Sequence, residues 1–350
     1  MKLKPGVPIA AGVVLFLLVS AGALVFQGLN DFDLSEHHQQ EVVFQTESAE
    51  LSGTLILPSD NPAAPILIFV HGDGPQDRFS SGGYMPLMNA LLDSGIAVYS
   101  WDKAGVGTSA GDWLQQTMAD RAAETMAAMS AVQSATEASG NKLGFIGFSQ
   151  AGWVLPKVAT QVSPSIPGII VGGASSWQEQ GAYLTATRLK AEAHTDDDIR
   201  AYVQQQVERD EKLFAPPVSY ERYLEQTTEE APMSEARFHF VALNYSVDST
   251  EELPRITSPM LVLFGEDDLN VDARSEARVY EQGLANGHDA NEVVVWPEAT
   301  HALTRTRWFN YRLPSQIPWY ATLYALAAGR EIYAPGVVDH IADWFLRTSQ

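Results

Sequence analysis

Short runs of apolar residues recur along the chain and predict strands: Glu41–Thr46, Leu51–Leu57, Ile66–Val70, Ile96–Trp101, Leu143–Gly147, Ile169–Val171, Met260–Phe264 and Glu292–Trp296. Several are continuously apolar rather than alternating, the pattern of strands that meet water on neither face. Longer stretches of helical character separate the later runs, at Tyr84–Leu92, Ala119–Thr136, Trp153–Gln161 and Ala273–Ala285. Strand–helix alternation of this kind predicts an α/β fold built on a doubly wound, mostly parallel sheet. The alternation fails between residues 175 and 256, a polar stretch of helical character with acidic clusters at Asp196-Asp197-Asp198 and Glu229-Glu230. It is read as an insertion that divides the sheet into a first part, 41–174, and a second part, 257–350.

The N-terminus follows a different pattern. After Lys2 and Lys4, an uncharged apolar run extends from Val7 to about Phe26. A helix of about 20 residues at about 1.5 Å each spans about 30 Å, the hydrocarbon thickness of a bilayer. Residues 1–30 are therefore expected to be a membrane-targeting segment, either a retained single-pass anchor or a signal peptide cleaved near Ala21-Gly22-Ala23. Lysines before the run and Asp31, Asp33 and Glu36 after it orient the N-terminus to the cytoplasm and export the remainder. Residues 31–40, DFDLSEHHQQ, read as a polar linker. The pair His37 and His38 invites a metal, but no partner recurs at ligand spacing, so an exposed tether is the expectation.

Charge and composition narrow the chemistry. The 350 residues carry 22 Lys plus Arg against 43 Asp plus Glu, a net charge of −21, which disfavours nucleic acid as a partner. With no cysteine, disulfides, thiolate metal sites and a Cys nucleophile are excluded, leaving Ser, His and carboxylates. No metal or cofactor is expected.

The strand at Leu143 runs into Gly147-Phe148-Ser149-Gln150-Ala151-Gly152 and then a helix. A serine on so sharp a strand-to-helix turn needs small residues two positions to either side, and Gly147 and Ala151 comply. The same turn aims the Gln150 backbone N–H at an oxygen that gains charge on attack.

On these residues the chain resembles the α/β-hydrolase superfamily of serine hydrolases, whose elbow is usually G-x-S-x-G; Ala151 departs from it only by a methyl. The resemblance extends to His71-Gly72-Asp73-Gly74-Pro75 after an early strand and, over HGDGPQDR, to an exported, S33-like subgroup with an HGSGPxDR-type sequence. It implies that the Asp73 N–H is the second oxyanion donor, with Asp73 standing where that subgroup has a small Ser. Trp101-Asp102-Lys103-Ala104-Gly105-Val106-Gly107-Thr108-Ser109 lacks the third glycine of a dinucleotide fingerprint. It looks instead like the family's D-x-R-G-x-G-x-S loop with Ala104 at the usual Arg, so any salt bridge of that Arg is missing.

Gly265-Glu266-Asp267-Asp268-Leu269-Asn270-Val271 matches the family's acid turn and nominates Asp268, with Asp267 and Glu266 as neighbours able to compete. Of the five histidines after Ser149, His194 and His239 lie in the insertion, His288 in a turn and His340 near the end. His301 follows a strand end, where the family carries its base. The order Ser149, Asp268, His301 is that of α/β-hydrolases, and the insertion falls where the family places a helical cap.

The resemblance implies a carboxylic ester hydrolase acting on a small-molecule acyl ester through an acyl-enzyme. Aminopeptidase-like or acyl thioesterase activity is the alternative, and a non-catalytic binding protein on the same scaffold is a further one. A serine nucleophile disfavours dehalogenase chemistry, and an exported site disfavours CoA esters. After His301 comes an aromatic-rich stretch with Trp308, Phe309, Tyr311, Trp319, Tyr320 and Tyr324. It is expected to line an apolar pocket, lie against a membrane or pack in the core.

Overall fold

The computed structural model describes residues 22, 25–136, 140–163, 165–227 and 231–349. Eight strands form one sheet: β1 His38–Gln45, β2 Glu50–Leu57, β3 Ile66–Val70, β4 Ala97–Trp101, β5 Leu143–Phe148, β6 Gly168–Val171, β7 Met260–Gly265 and β8 Glu292–Trp296. Their spatial order is β1-β2-β4-β3-β5-β6-β7-β8. From β4 to β8 all neighbours are parallel, while β1, β2 and β4 pair antiparallel at one edge. Strands β3 and β7 are buried at every residue, and removing each large aliphatic side chain from water contributes about 1.5–3 kcal/mol.

Helices cover both faces. On one side α2 (Met118–Ala135), α3 (Leu155–Ala159) and α8 (Ala273–Leu284) pack on Leu55, Ile68 and Val262; on the other α1 (Met85–Asp93) and α11 (Val337–Thr348) pack on Leu67, Ile146 and Leu263. α2 starts at a reciprocal cap: Thr117 Oγ1 accepts the Asp120 N–H, and Asp120 accepts the Thr117 N–H. The helix expected at Trp153–Gln161 is shorter, because a tight 3₁₀ turn occupies Ser149–Trp153 before α3 begins.

Between β6 and β7 the insertion holds α4 (Trp177–Ala191), α5 (Asp196–Phe214), α6 (Tyr220–Gln226) and α7 (Glu235–Asn244). After β8 come the short α9 (Thr306–Phe309) and α10 (Trp319–Ala328). Strand order reverses at β3, with β4 on one side and β5 on the other. The chain leaving β3 leads to α1 on one face and that leaving β5 to α3 on the other, and the carboxyl ends of strands at such a switch point are the place where open α/β sheets bind ligands.

The apolar N-terminal run lies outside the described residues except for 22, 25 and 26. Among the described residues no helix is long and apolar enough to cross a membrane. Residues 31–40 are not a free tether. Asp31 is buried and takes the Arg330 guanidinium and backbone N–H, at 2.8 Å from Nε and 2.7 Å from N. Leu34 is buried, and Asn89 Nδ2 donates to the carbonyls of Asn30 and Asp33. His38 opens β1, whose polar residues face water along a sheet edge. A polar composition suits an edge strand as well as a linker, and the decisive partner, Arg330, is remote in sequence.

Candidate active site

Ser149 begins the turn that follows β5, with φ 51°. A side chain there costs about 1–3 kcal/mol of backbone strain, which the elbow retains to lift the hydroxyl off the strand end. The flanks have no spare room, since a Cβ on Gly147 would fall 2.6 Å from the Ala151 methyl. The loop after β3 runs alongside, with the Cβ direction of Gly72 pointing to within 3.4 Å of Ser149 Cβ. Asp73 and Gln150 thus belong to two loops that meet at Ser149, and their side chains are joined by a 3.1 Å hydrogen bond from Gln150 Nε2 to Asp73 Oδ1.

The turn after β7 sorts its three adjacent acids. Glu266 pairs with Arg274 at the surface, and Asp267 accepts from the Thr306 hydroxyl at 2.7 Å. Asp268 turns inward. Its Oδ1 accepts the N–H groups of Asn270 (2.7 Å) and Val271 (3.0 Å), and its Oδ2 lies 2.7 Å from His301 Nδ1. A carboxylate fixed by two backbone donors can only accept, so His301 Nδ1 carries the proton and Nε2 is left with a lone pair. Tyr183, from α4, donates its hydroxyl to the Asp268 carbonyl at 2.8 Å.

The sheet register brings this pair toward the serine. Phe148 pairs with Val171, so the residues that follow, Ser149 and Gly172, leave adjacent strands about 4.8 Å apart. The His301 ring covers Gly172, where φ is +60° and a Cβ would stand 2.9 Å from both Cε1 and Nδ1. The imidazole therefore covers the end of β6, the strand that neighbours β5, from which Ser149 leaves. The other downstream histidines lie elsewhere: His194 and His239 sit beside Glu192 and Glu235, His288 Nδ1 accepts from the Ala290 N–H, and His340 faces Glu292.

Burial acts to lower the His301 pKa, but the charge of Asp268 and its hydrogen bond together outweigh it and the pKa is raised. His71 behaves oppositely. Burial drives its pKa down to about 3, and its Nε2–H donates to the Trp101 carbonyl, so it is a neutral strut rather than a base.

Several polar residues that sequence reasoning passed over brace the site. Arg121, buried on α2, donates to Gln150 Oε1 (3.1 Å) and to the His71 carbonyl (3.2 Å), with Glu124 at 3.6 Å. Lys103 Nζ donates to the Gly72 carbonyl at 3.0 Å and lies over the Trp113 ring, and burial holds its pKa well below the usual lysine range. Arg237, from α7, pairs with Asp73. Burial would raise the Asp73 pKa, but the hydrogen bonds and charge of Arg237 prevail and lower it. Apart from Arg121 and Glu124, which stand three apart on α2, none of these partners has a sequence spacing that betrays it.

The loop after β4 also differs from expectation. Ala104 indeed makes no ion pair, yet Asp102 is clamped by Arg78 of the HGDGPQDR run, through Nε to Oδ1 (3.1 Å) and Nη2 to Oδ2 (2.7 Å). Arg78 also donates to Ser52, Thr54 and Thr108.

Helices α4 to α7 enclose a cavity of about 580 Å³ with Trp177, Tyr202, Phe214 and Tyr245 in its walls; Ser149, Asp268 and His301 are not among its lining residues. Among the described residues, no group of three or more His, Asp or Glu is arranged to hold a metal.

The family model for serine aminopeptidase, S33, matches residues 61–306, well over half of the chain. The chain belongs to the serine aminopeptidase S33 family. This S33-family protein is accordingly a hydrolase with the α/β-hydrolase fold. Solved structures agree on that fold. The esterase Pf2001 of Pyrococcus furiosus is similar at 16% identity and TM-score 0.57, over 90% of this chain and 93% of its own. Est1E of Butyrivibrio proteoclasticus, with ferulic acid bound, is similar at 15% identity and TM-score 0.53, over 87% and 98%. An acylaminoacyl peptidase of Pyrococcus horikoshii is similar at 14% identity and TM-score 0.52, over 89% of this chain but 42% of its own. No curated protein matches the S33-family chain in sequence.

Proposed function

We propose that this chain is a serine hydrolase that cleaves carboxylic esters through an acyl-enzyme. The 2.7 Å bond between His301 Nδ1 and Asp268 Oδ2, held over the strand end beside Ser149, carries this reading. His301 Nε2 takes the proton of Ser149 as its oxygen attacks the acyl carbon, and returns it to the departing alcohol. Asp268 holds the productive tautomer and stabilises the imidazolium. The backbone N–H groups of Gln150 and Asp73 stabilise the oxyanion, each such donor being worth about 10²–10³ in turnover. A water activated by His301 then releases the acid and restores Ser149.

Esters are favoured over aminoacyl substrates by the state of Asp73. Its carboxylate is already engaged by Arg237 and Gln150, so it is not a ready anchor for a substrate amino group. One of the similar structures, Pf2001, is an esterase as well. We place the catalytic part outside the cytoplasm, held by the N-terminal apolar run as an anchor or released by its cleavage, with no nucleic acid partner.

The test is hydrolysis of short-chain nitrophenyl esters against aminoacyl nitroanilides by the wild type and by Ser149→Ala. Ester turnover that disappears in the variant supports the reading. Retained turnover in Ser149→Ala, or a clear preference for the anilides, overturns it.

A further inference from the structure

One stretch of this acidic protein has the opposite character. Residues 305–330 contain four arginines and no Asp or Glu, in a chain whose net charge is −21. Within that stretch α10 turns its apolar side outward. Trp319 is 74% exposed, Tyr320 50%, Leu323 55% and Leu326 38%, positions that share one face at helical spacing, while Ala321 on the opposite side is fully buried. Tyr324 secures the helix by stacking on Trp308 at 4.4 Å between ring centroids. Helix α10 therefore directs Trp319, Tyr320 and its leucines to solvent, while Trp308, Phe309 and Tyr324 stay half-buried.

The N-terminal run emerges beside this face. Residues 25–30 are helical, and Gly28 passes so close to the Ala327 carbonyl that a side chain there would overlap it. The ion pair of Asp31 with Arg330 locks the junction, and Arg330 also reaches Asp93 at 2.7 Å. Val25, Phe26 and Leu29 are 43%, 67% and 45% exposed, which extends the apolar surface of α10 toward the run from Val7 to Phe26.

We infer that α10, together with residues 25–29, is a membrane-docking face that lies in the interfacial layer of a lipid bilayer. Tryptophan and tyrosine favour that layer, leucines enter the acyl boundary, and arginines such as the exposed Arg307 meet anionic headgroups that repel the rest of the protein. The inference rests on the reading of residues 7–26 as a bilayer segment, because the rigid junction at Asp31 and Arg330 sets α10 down where that segment leaves the lipid.

The chain has no cysteine, so single reporters can be placed at will. Full-length Leu323→Cys and, separately, Trp319→Cys carry an environment-sensitive fluorophore and are reconstituted in phosphatidylcholine–phosphatidylglycerol vesicles with brominated acyl chains. Val14→Cys reports on the N-terminal run, and Leu243→Cys, 49% exposed on α7, is the solvent control. Quenching of at least two-fold at 14, 323 and 319, with none at 243, supports docking. Quenching at 14 alone leaves the anchor standing and overturns docking. Absence of quenching at 14, 319 and 323 overturns both. A label at 323 that is blue-shifted but unquenched means that a protein surface, such as a second copy of this chain, covers the face, and also overturns the inference.

Discussion

Arg237, on the inserted helix α7, grips both carboxylate oxygens of Asp73 at 2.8 and 2.5 Å, tying the insertion to the loop that follows β3. The pair is partly exposed, with side-chain accessibilities of 30% and 43%, so solvent screening limits its worth to about 0–1 kcal/mol. Arg237→Ala is expected to lower the melting temperature by a few degrees at most. The larger effect falls on ester turnover, because Asp73 also receives Gln150. A loss of about 3–10-fold in kcat/KM is expected, narrowing near 1 M salt, where the Debye length is about 3 Å. Steady-state kinetics across ionic strength check this, and a variant gap insensitive to salt counts against an electrostatic tie.

Activity requires neutral His301. Since Asp268 raises its pKa, the acid limb of kcat/KM is expected above the ordinary histidine value of about 6.5, with turnover lost as pH falls through it. Asp268→Asn removes the charge and is expected to move the limb downward while cutting kcat by about 10³–10⁴. A pH–rate profile of both proteins decides the matter; an unmoved limb assigns the titration to another group.

Gly172 permits the close seat of the imidazole. Gly172→Ala places a methyl 2.9 Å from the ring in a backbone conformation at φ +60°. Strain of about 1 kcal/mol is expected in denaturant unfolding, together with a kcat reduced by at least 10-fold as the ring is pushed aside. Stability loss without loss of kcat would show that the ring has room to yield.

Arg78 and Asp102 are nearly buried, with side-chain accessibilities of 15% and 5%. Arg78→Ala removes the guanidinium but leaves the backbone N–H groups of residues 78 and 108 on the carboxylate, and is expected to cost about 1–3 kcal/mol by urea unfolding. Burial acts to raise the Asp102 pKa, but Arg78 and backbone donors bring it down to about 2. A depressed carboxylate pKa gives stability that is complete above the unfolded value of about 3.9 and is lost as pH falls toward 2. The difference between wild type and variant should therefore be flat from pH 5 to 8 and shrink below pH 4.

Part of the candidate site is legible in the sequence. The elbow could be read because steric crowding dictates small residues around Ser149, a local rule written in neighbouring positions. Asp268 stood out from Asp267 and Glu266 only by analogy; what separates them in the fold is that its carboxylate meets the Asn270 and Val271 amides and His301. The run 31–40 misled because polarity alone does not distinguish a tether from a segment held at Asp31 by Arg330 that runs into an edge strand at His38.

The strands, the helices between them, the polar insertion and the residue types able to do acyl chemistry are written locally in the chain, because hydrophobic period and turn sterics act over a few neighbours. Which polar partners meet is settled in three dimensions: Arg78 with Asp102, Arg237 with Asp73, Arg121 with Gln150 and Arg330 with Asp31. Electrostatic and hydrogen-bond partners are selected by distance in space, and residues up to about 300 positions apart leave no periodic trace of their pairing.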